Sequence, residues 1–158
     1  MIIDTNVIVS VDDPNPVARE HCVIRCRELL GEARNSVVTL DTNDEILLEY
    51  IRNVRRRDYP LGVGASFVRY VENFRFEETL FERVELTTDP DRGYKEFPAE
   101  KKLAKFDRAD RKFVAVSLAS SADHAIYNAT DDGWAKHDQA LSEAGVNVVY
   151  LCPSLTKP

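Results

Sequence analysis

The period of apolar and polar positions changes several times along the chain. Residues 2–9, "IIDTNVIV", are β-branched and apolar apart from three positions, which predicts a buried first strand. "DDPNP" at 12–16 has loop chemistry. Over 17–33, Val17, Cys22, Val23, Cys26, Leu29 and Leu30 recur at helical spacing, with Gly31 near the end. "SVVTL" at 36–40 predicts a second strand. Asp41 or Thr42 is then placed to cap a helix with Ile46, Leu47, Tyr50, Ile51 and Val54 on its apolar face.

"YPLGVG" breaks the pattern at Pro60, Gly62 and Gly64, and a further helix is expected through "ASFVRYVENF". "FERVELTT" alternates and is a short strand or an extended segment, and "DPDRGYKEFPAEKK" reads as loop. Another helix is expected over 108–121, a strand at "HAIYNAT", one short helix through "DDGWAKHDQALSEAG" ending near Gly145, and a last strand at "VNVVYL". Strand and helix alternate, so the expected fold class is α/β: a three-layer α/β/α sandwich with a mostly parallel central sheet. A single domain over 1–158 is expected, with a helical and loop excursion around 58–105.

Composition adds three constraints. A chain of 158 residues, 44% hydrophobic and 30% charged, is large enough for a real core. No charged n-region followed by an apolar h-region opens it, and no apolar stretch has the length of a membrane span, so a cytoplasmic protein without membrane partners is expected. Three cysteines do not suggest a disulfide framework, and no paired ligand spacing suggests zinc, so reduced, partly buried thiols are expected. The formal net charge of −6 argues against nucleic-acid binding by bulk charge. Basic residues are nonetheless grouped: Arg52, Arg55, Arg56 and Arg57 in one segment, Arg111 and Lys112 in another. Each group is either a solvated helix face or a set of phosphate contacts.

Asp4 inside an apolar strand demands an explanation. In parallel α/β sheets ligands bind at the carboxyl ends of the strands. Asp4 and Asp131 fall near such ends, while Glu49 and Asp110 lie on helices able to lean over the same edge. Four convergent carboxylates repel one another and persist only with cations. Oxygen-only ligands suit Mg2+ or Mn2+, and such an ion activates water and stabilises the oxyanions of a phosphodiester displacement. Each acid also has a structural explanation: Asp131 or Asp132 as a helix cap, Asp110 at a helix dipole, Glu49 in solvent, Asp4 capping a loop.

"IIDTNVIV", "ILLEYI", "ADRKFVAVSLAS" and "AIYNATDDGW", in that order, resemble the sequence motifs of the PIN-domain ribonucleases. The resemblance implies a PIN-like fold and Asp4, Glu49, Asp110 and Asp131 as catalytic and metal-binding acids, with Asp132 in reserve for the fourth. It prefers Glu49 to Glu45 and Asp110 to Asp107, and gives Thr5 and Asn6 supporting roles. The family pattern has an acid before the closing aromatic, where this chain has Gly133 before Trp134. The resemblance further implies endonucleolytic RNA cleavage with Mg2+ or Mn2+ and, as in VapC-type toxins, a small antitoxin partner and a homodimer. Two other functions compete: a non-catalytic PIN-like module binding RNA or protein, and a phosphatase with an aspartate nucleophile. The second is disfavoured because Asn6 stands where such enzymes carry a second Asp. His21, His124 and His137 form no ligand spacing, and Trp134 and Tyr127 are expected in the core rather than as base-stacking platforms.

Overall fold

The first strand, β1, covers only Ile2–Ile3 in the computed structural model. The strand expected over 2–9 stops there because Asp4 turns the backbone. Its Oδ1 accepts the Asn6 N–H at 3.0 Å and caps a short helix, α1 (Thr5–Ser10). A short apolar run fits a buried strand or a buried helix equally, and the polar triplet decides between them. Val7 and Ile8 are buried on a helix instead of a strand. The structure describes residues 1–12, 20–55, 62–122 and 124–156. The expected loop beyond Asp12, Val17 of the next helix, Arg56, Arg57 and Pro60 lie outside the described residues.

The order continues with α2 (Glu20–Glu32), a 3-10 turn (Ala33–Asn35), β2 (Val38–Asp41), α3 (Glu45–Arg55), α4 (Val63–Phe74) and β3 (Phe81–Val84). It closes with β4 (Thr88–Asp89), β5 (Gly93–Tyr94), a 3-10 turn (Lys101–Leu103), α5 (Arg111–Ala119), β6 (Ile126–Asn128), α6 (Asp132–Lys136), α7 (Asp138–Glu143) and β7 (Val148–Tyr150). One short helix was expected between the last two strands. Two form, because the chain breaks at His137, whose ring nitrogen meets the Gly133 carbonyl at 2.9 Å and whose ring lies perpendicular to that of Phe106. The expected loop after β3 contains a small antiparallel hairpin of β4 and β5, closed by Gly93 at φ +89°.

The fold is mixed α/β with parallel strand pairing. β6 pairs in parallel with β1 on one side and β7 on the other, and β2 pairs in parallel with β3. The two groups abut where the Met1 amino group donates to the Val37 carbonyl at 2.6 Å and Thr39 N–H donates to the Met1 carbonyl at 2.8 Å. Asp4 therefore follows β1, Asp131 follows β6 and Asp41 ends β2, all at the carboxyl ends of parallel strands. The Asp41 carboxylate accepts the Glu45 and Ile46 N–H groups at 2.7 and 2.9 Å, which aims α3 across that edge. Tyr50 pins the same helix by donating to the Ile3 carbonyl.

The middle of the chain is built into the core where it is described. Asp12 accepts the Val63 and Gly64 N–H groups at 2.8 and 2.9 Å and so starts α4. A Cβ at Gly64 would run into the Ile8 carbonyl, so glycine lets α4 approach α1. Phe97, Leu103 and Phe106 are buried, and Phe106 meets Trp134 edge-on at 5.0 Å between ring centres. The cysteines differ from expectation: Cys22 on α2 and Cys152 after β7 form a disulfide across 130 residues of sequence, leaving Cys26 as a free, buried thiol. Sequence spacing carries no information about so distant a pair. No helix among the described residues is long and apolar enough to cross a membrane.

Candidate active site

Asp4 is 4% exposed at the start of α1. One carboxylate oxygen caps that helix. The other, Oδ2, is buried and has no hydrogen-bond partner. Beside it, the buried indole Nε1 of Trp134 also lacks a partner at full hydrogen-bond geometry. Its N–H faces the Asp4 carboxylate as a weak hydrogen-bond donor that favours the charged form, short of ideal geometry. The two face each other at imperfect geometry, so Oδ2 keeps acceptor capacity that the indole N–H does not fully use.

Three further acids reach this point electrostatically. Burial pushes the Asp4 carboxyl up to about 7, and the charges of Asp131 and Glu49 push the same way, against the Asn6 N–H. Burial likewise pushes Asp110 up to about 8, with Asp4, Asp131 and Asp107 adding to it and Lys112 opposing. Asp110 stands at the N-cap position of α5, yet its side chain makes no capping hydrogen bond. Helix capping therefore does not account for this carboxylate. Asp131 caps α6 through the Gly133 N–H at 2.7 Å while acting on both Asp4 and Asp110. Asp132 points elsewhere: it is exposed and pairs with Lys136 at 2.6 Å, one helical turn on.

Glu49 is held from two sides. Thr5 Oγ1 donates to its Oε1 at 2.5 Å, and Lys112 Nζ forms an ion pair with its Oε2. Thr5 thus positions Glu49. Asn6 braces the opposite wall: its Nδ2 donates to Asn128 Oδ1 at 2.6 Å and its Oδ1 accepts the Ala129 N–H at 2.7 Å. Asn128 in turn donates to the Asp131 carbonyl at 2.7 Å and accepts the Asp131 N–H at 3.2 Å. Asn128, Tyr50 and Trp134 are thus part of the site's scaffold. Tyr50 and Trp134 were visible in the sequence only as core-facing residues.

The acids act on one another electrostatically without gathering at contact distance. Among the described residues no three carboxylates offer oxygens within 4.8 Å of one another. A divalent ion here would therefore take only one or two carboxylates directly and keep water for its remaining positions, as Mg2+ commonly does. The under-used Asp4 Oδ2 and the carboxylate oxygens around it fit such an ion, with the Lys112 ammonium already paired to Glu49.

The basic residues divide. Arg52 and Arg55 are exposed on α3, the helix that carries Glu49. Arg111 is buried and is corrected from a phosphate contact to a structural group. Its guanidinium donates to the carbonyls of Phe106, Ala104 and Arg92 and lies over the Phe97 ring at 4.6 Å. Lys112 is corrected likewise: it is buried in the acid pocket between Glu49 and the Ala109 carbonyl, not on a solvent-facing strip. Arg111→Lys is expected to lower stability by about 1–2 kcal/mol, since an ammonium lacks the spread guanidinium fork that reaches three carbonyls and covers the Phe97 ring. Urea denaturation measures this, and unchanged stability would return Arg111 to the surface. Compared with known proteins, the chain matches no family model, no curated protein and no solved structure.

Proposed function

We propose that the chain is a divalent-metal-dependent endoribonuclease with a PIN-like three-layer arrangement, hydrolysing RNA phosphodiester bonds. The observation that carries this is the Asp4 carboxylate: buried, with one oxygen met only by the Trp134 indole N–H at imperfect geometry, at the carboxyl end of a parallel strand and within electrostatic reach of Glu49, Asp110 and Asp131. Mg2+ or Mn2+ held there supplies activation of water and compensation of charge on the phosphodiester oxygens. Asp4 and Asp131 are the acids best placed to hold it, at adjacent strand ends. Asp110 faces both, and Glu49 completes the charge, fixed by Thr5 and Lys112. Asn6 and Asn128 keep the Asp131 turn in register with Asp4. Exposed Arg52 and Arg55 on α3 offer phosphate contacts beside the pocket, and they position RNA without reading its bases.

The test is cleavage of end-labelled single-stranded RNA by the purified protein with Mn2+ or Mg2+, with and without a chelator. Metal-dependent internal cuts are expected, and intact RNA at high protein concentration with either ion overturns the proposal. One observation favours the alternative of a non-catalytic RNA- or protein-binding module: Lys112 already neutralises Glu49 inside the pocket. Calorimetry separates the two, because a binding module with a self-compensated pocket takes up no Mn2+.

A further inference from the structure

All three cysteines of the chain meet at one place, although Cys152 lies 130 residues from Cys22. Cys22 and Cys26 are four apart on the inner face of α2, and Cys152 comes from the segment after β7. They are 5%, 0% and 4% exposed, and their sulfur atoms all lie within 4.8 Å of one another. A covalent clip between α2 and the C-terminal segment needs two cysteines. The third is placed as close to both sulfurs as a shared ligand would require.

We propose that Cys22, Cys26 and Cys152 form, in the reduced protein, a trithiolate site for one soft, thiophilic metal ion, of which the Cys22–Cys152 disulfide is the ion-free oxidised form. With metal–sulfur bonds of about 2.3 Å, three sulfurs arranged trigonally around one ion lie about 4 Å apart, a separation inside the 4.8 Å limit of this cluster that the Cys22 and Cys152 sulfurs reach only once their bond is broken. Thiolate ligands select soft ions over Mg2+ or Mn2+, so this site and the acid pocket would not compete for the same metal. Among the described residues no histidine or carboxylate joins the three sulfurs, so the site favours an ion content with three protein ligands over a closed tetrahedral zinc centre. Burial pushes the Cys26 thiol up to about 12, so binding must expel its proton, and affinity rises with pH.

The chemistry balances simply. An added phosphine and one water convert the disulfide to two thiols and the phosphine oxide. Binding then forms three metal–sulfur bonds and releases three protons. In either state α2 stays tied to the segment after β7, by a disulfide or through the shared ion.

The probe is Cd2+ added to phosphine-reduced protein without air, followed by ultraviolet sulfur-to-cadmium charge-transfer absorption. Carboxylates do not produce that band, so the result stands apart from the fate of the nuclease proposal. One equivalent is expected to saturate the band and to protect three thiols from a thiol reagent. Cys26→Ser should lose about a third of the absorption and bind at least tenfold more weakly, while still forming the Cys22–Cys152 disulfide on oxidation, as mass spectrometry of the digest would show. The proposal is overturned by the absence of the band, by a band that Cys26→Ser leaves unchanged, or by a reduced chain that Cd2+ does not keep folded by circular dichroism.

Discussion

Asp4→Asn protein is expected to lose RNA cleavage by a factor of a hundred or more, yet to be more stable than the parent at pH 8 in the absence of metal. The substitution is nearly isosteric, and its amide oxygen can still accept the Asn6 N–H, so α1 keeps its cap. What disappears is the negative charge, while the new NH2 group takes the place of Oδ2 beside the Trp134 N–H and offsets part of the gain. The sign of the stability change follows from linkage. A carboxyl raised to about 7 by burial binds a proton in the folded state at pH values where the unfolded chain has already released it. The folded state is therefore favoured below the unfolded value. That advantage drains away as pH rises from about 4 through 7, and for Asp110 through about 8. Each tenfold rise in a carboxylate's proton affinity on folding corresponds to about 1.4 kcal/mol, so the ionised, metal-free pocket costs several kcal/mol. Removing Asp4 recovers part of that cost, about 2–4 kcal/mol at pH 8, and also relieves Asp110. Urea denaturation from pH 4 to 9 with a chelator, alongside the cleavage assay, measures both arms. A parent protein whose metal-free stability is flat over that range, or an Asp4→Asn protein that cleaves at parental rate, contradicts the electrostatic account of the pocket.

The same carboxylate shows what local sequence can and cannot disclose. Its presence in an apolar run marked a site at a strand end, because burying a charge without a reason is costly. The alternation of strands and helices disclosed parallel pairing, and with it the edge where Asp4 and Asp131 fall. The exact end of β1 was not legible. Ile2, Ile3, Val7 and Ile8 suit either buried state, and only the hydrogen bond from Asn6 N–H to Asp4 turns the chain into α1. The roles of Thr5 and Asn6 depended on partners 44 and 122 residues away, which no local pattern reveals. Arg111 and Lys112 were misplaced for a related reason. In "DRADRKF" they look like a solvated basic face, but α5 packs its first turn against the hairpin of β4 and β5 and the pocket wall, so both cations turn inward. Gly133, the departure from the family pattern, has a local role instead: a Cβ there would stand 2.9 Å from Asp131 Oδ1, the atom that caps α6.

Lys112 is the residue through which the metal-binding and non-catalytic accounts make opposite demands. It is buried, pairs with Glu49 and lowers the proton affinity of Asp110. Lys112→Met keeps most of the side chain's length and packing but leaves Glu49 facing the other acids without its cation. Removing one partner of a buried ion pair costs roughly 3–5 kcal/mol. Glu49 keeps the Thr5 hydroxyl and about a fifth of its side-chain surface, which places the expected loss near the lower end, about 3 kcal/mol at pH 7.5 without metal. If the pocket accepts a divalent ion, that ion replaces the missing ammonium as counter-charge. The difference between Lys112→Met and parent should then shrink to about 1 kcal/mol in millimolar Mn2+, with Mn2+ bound more tightly by the variant than by the parent. If the pocket is a self-compensated structural feature, the loss stays the same with and without Mn2+. Paired denaturation curves distinguish the two outcomes, whether or not an RNA substrate has been found.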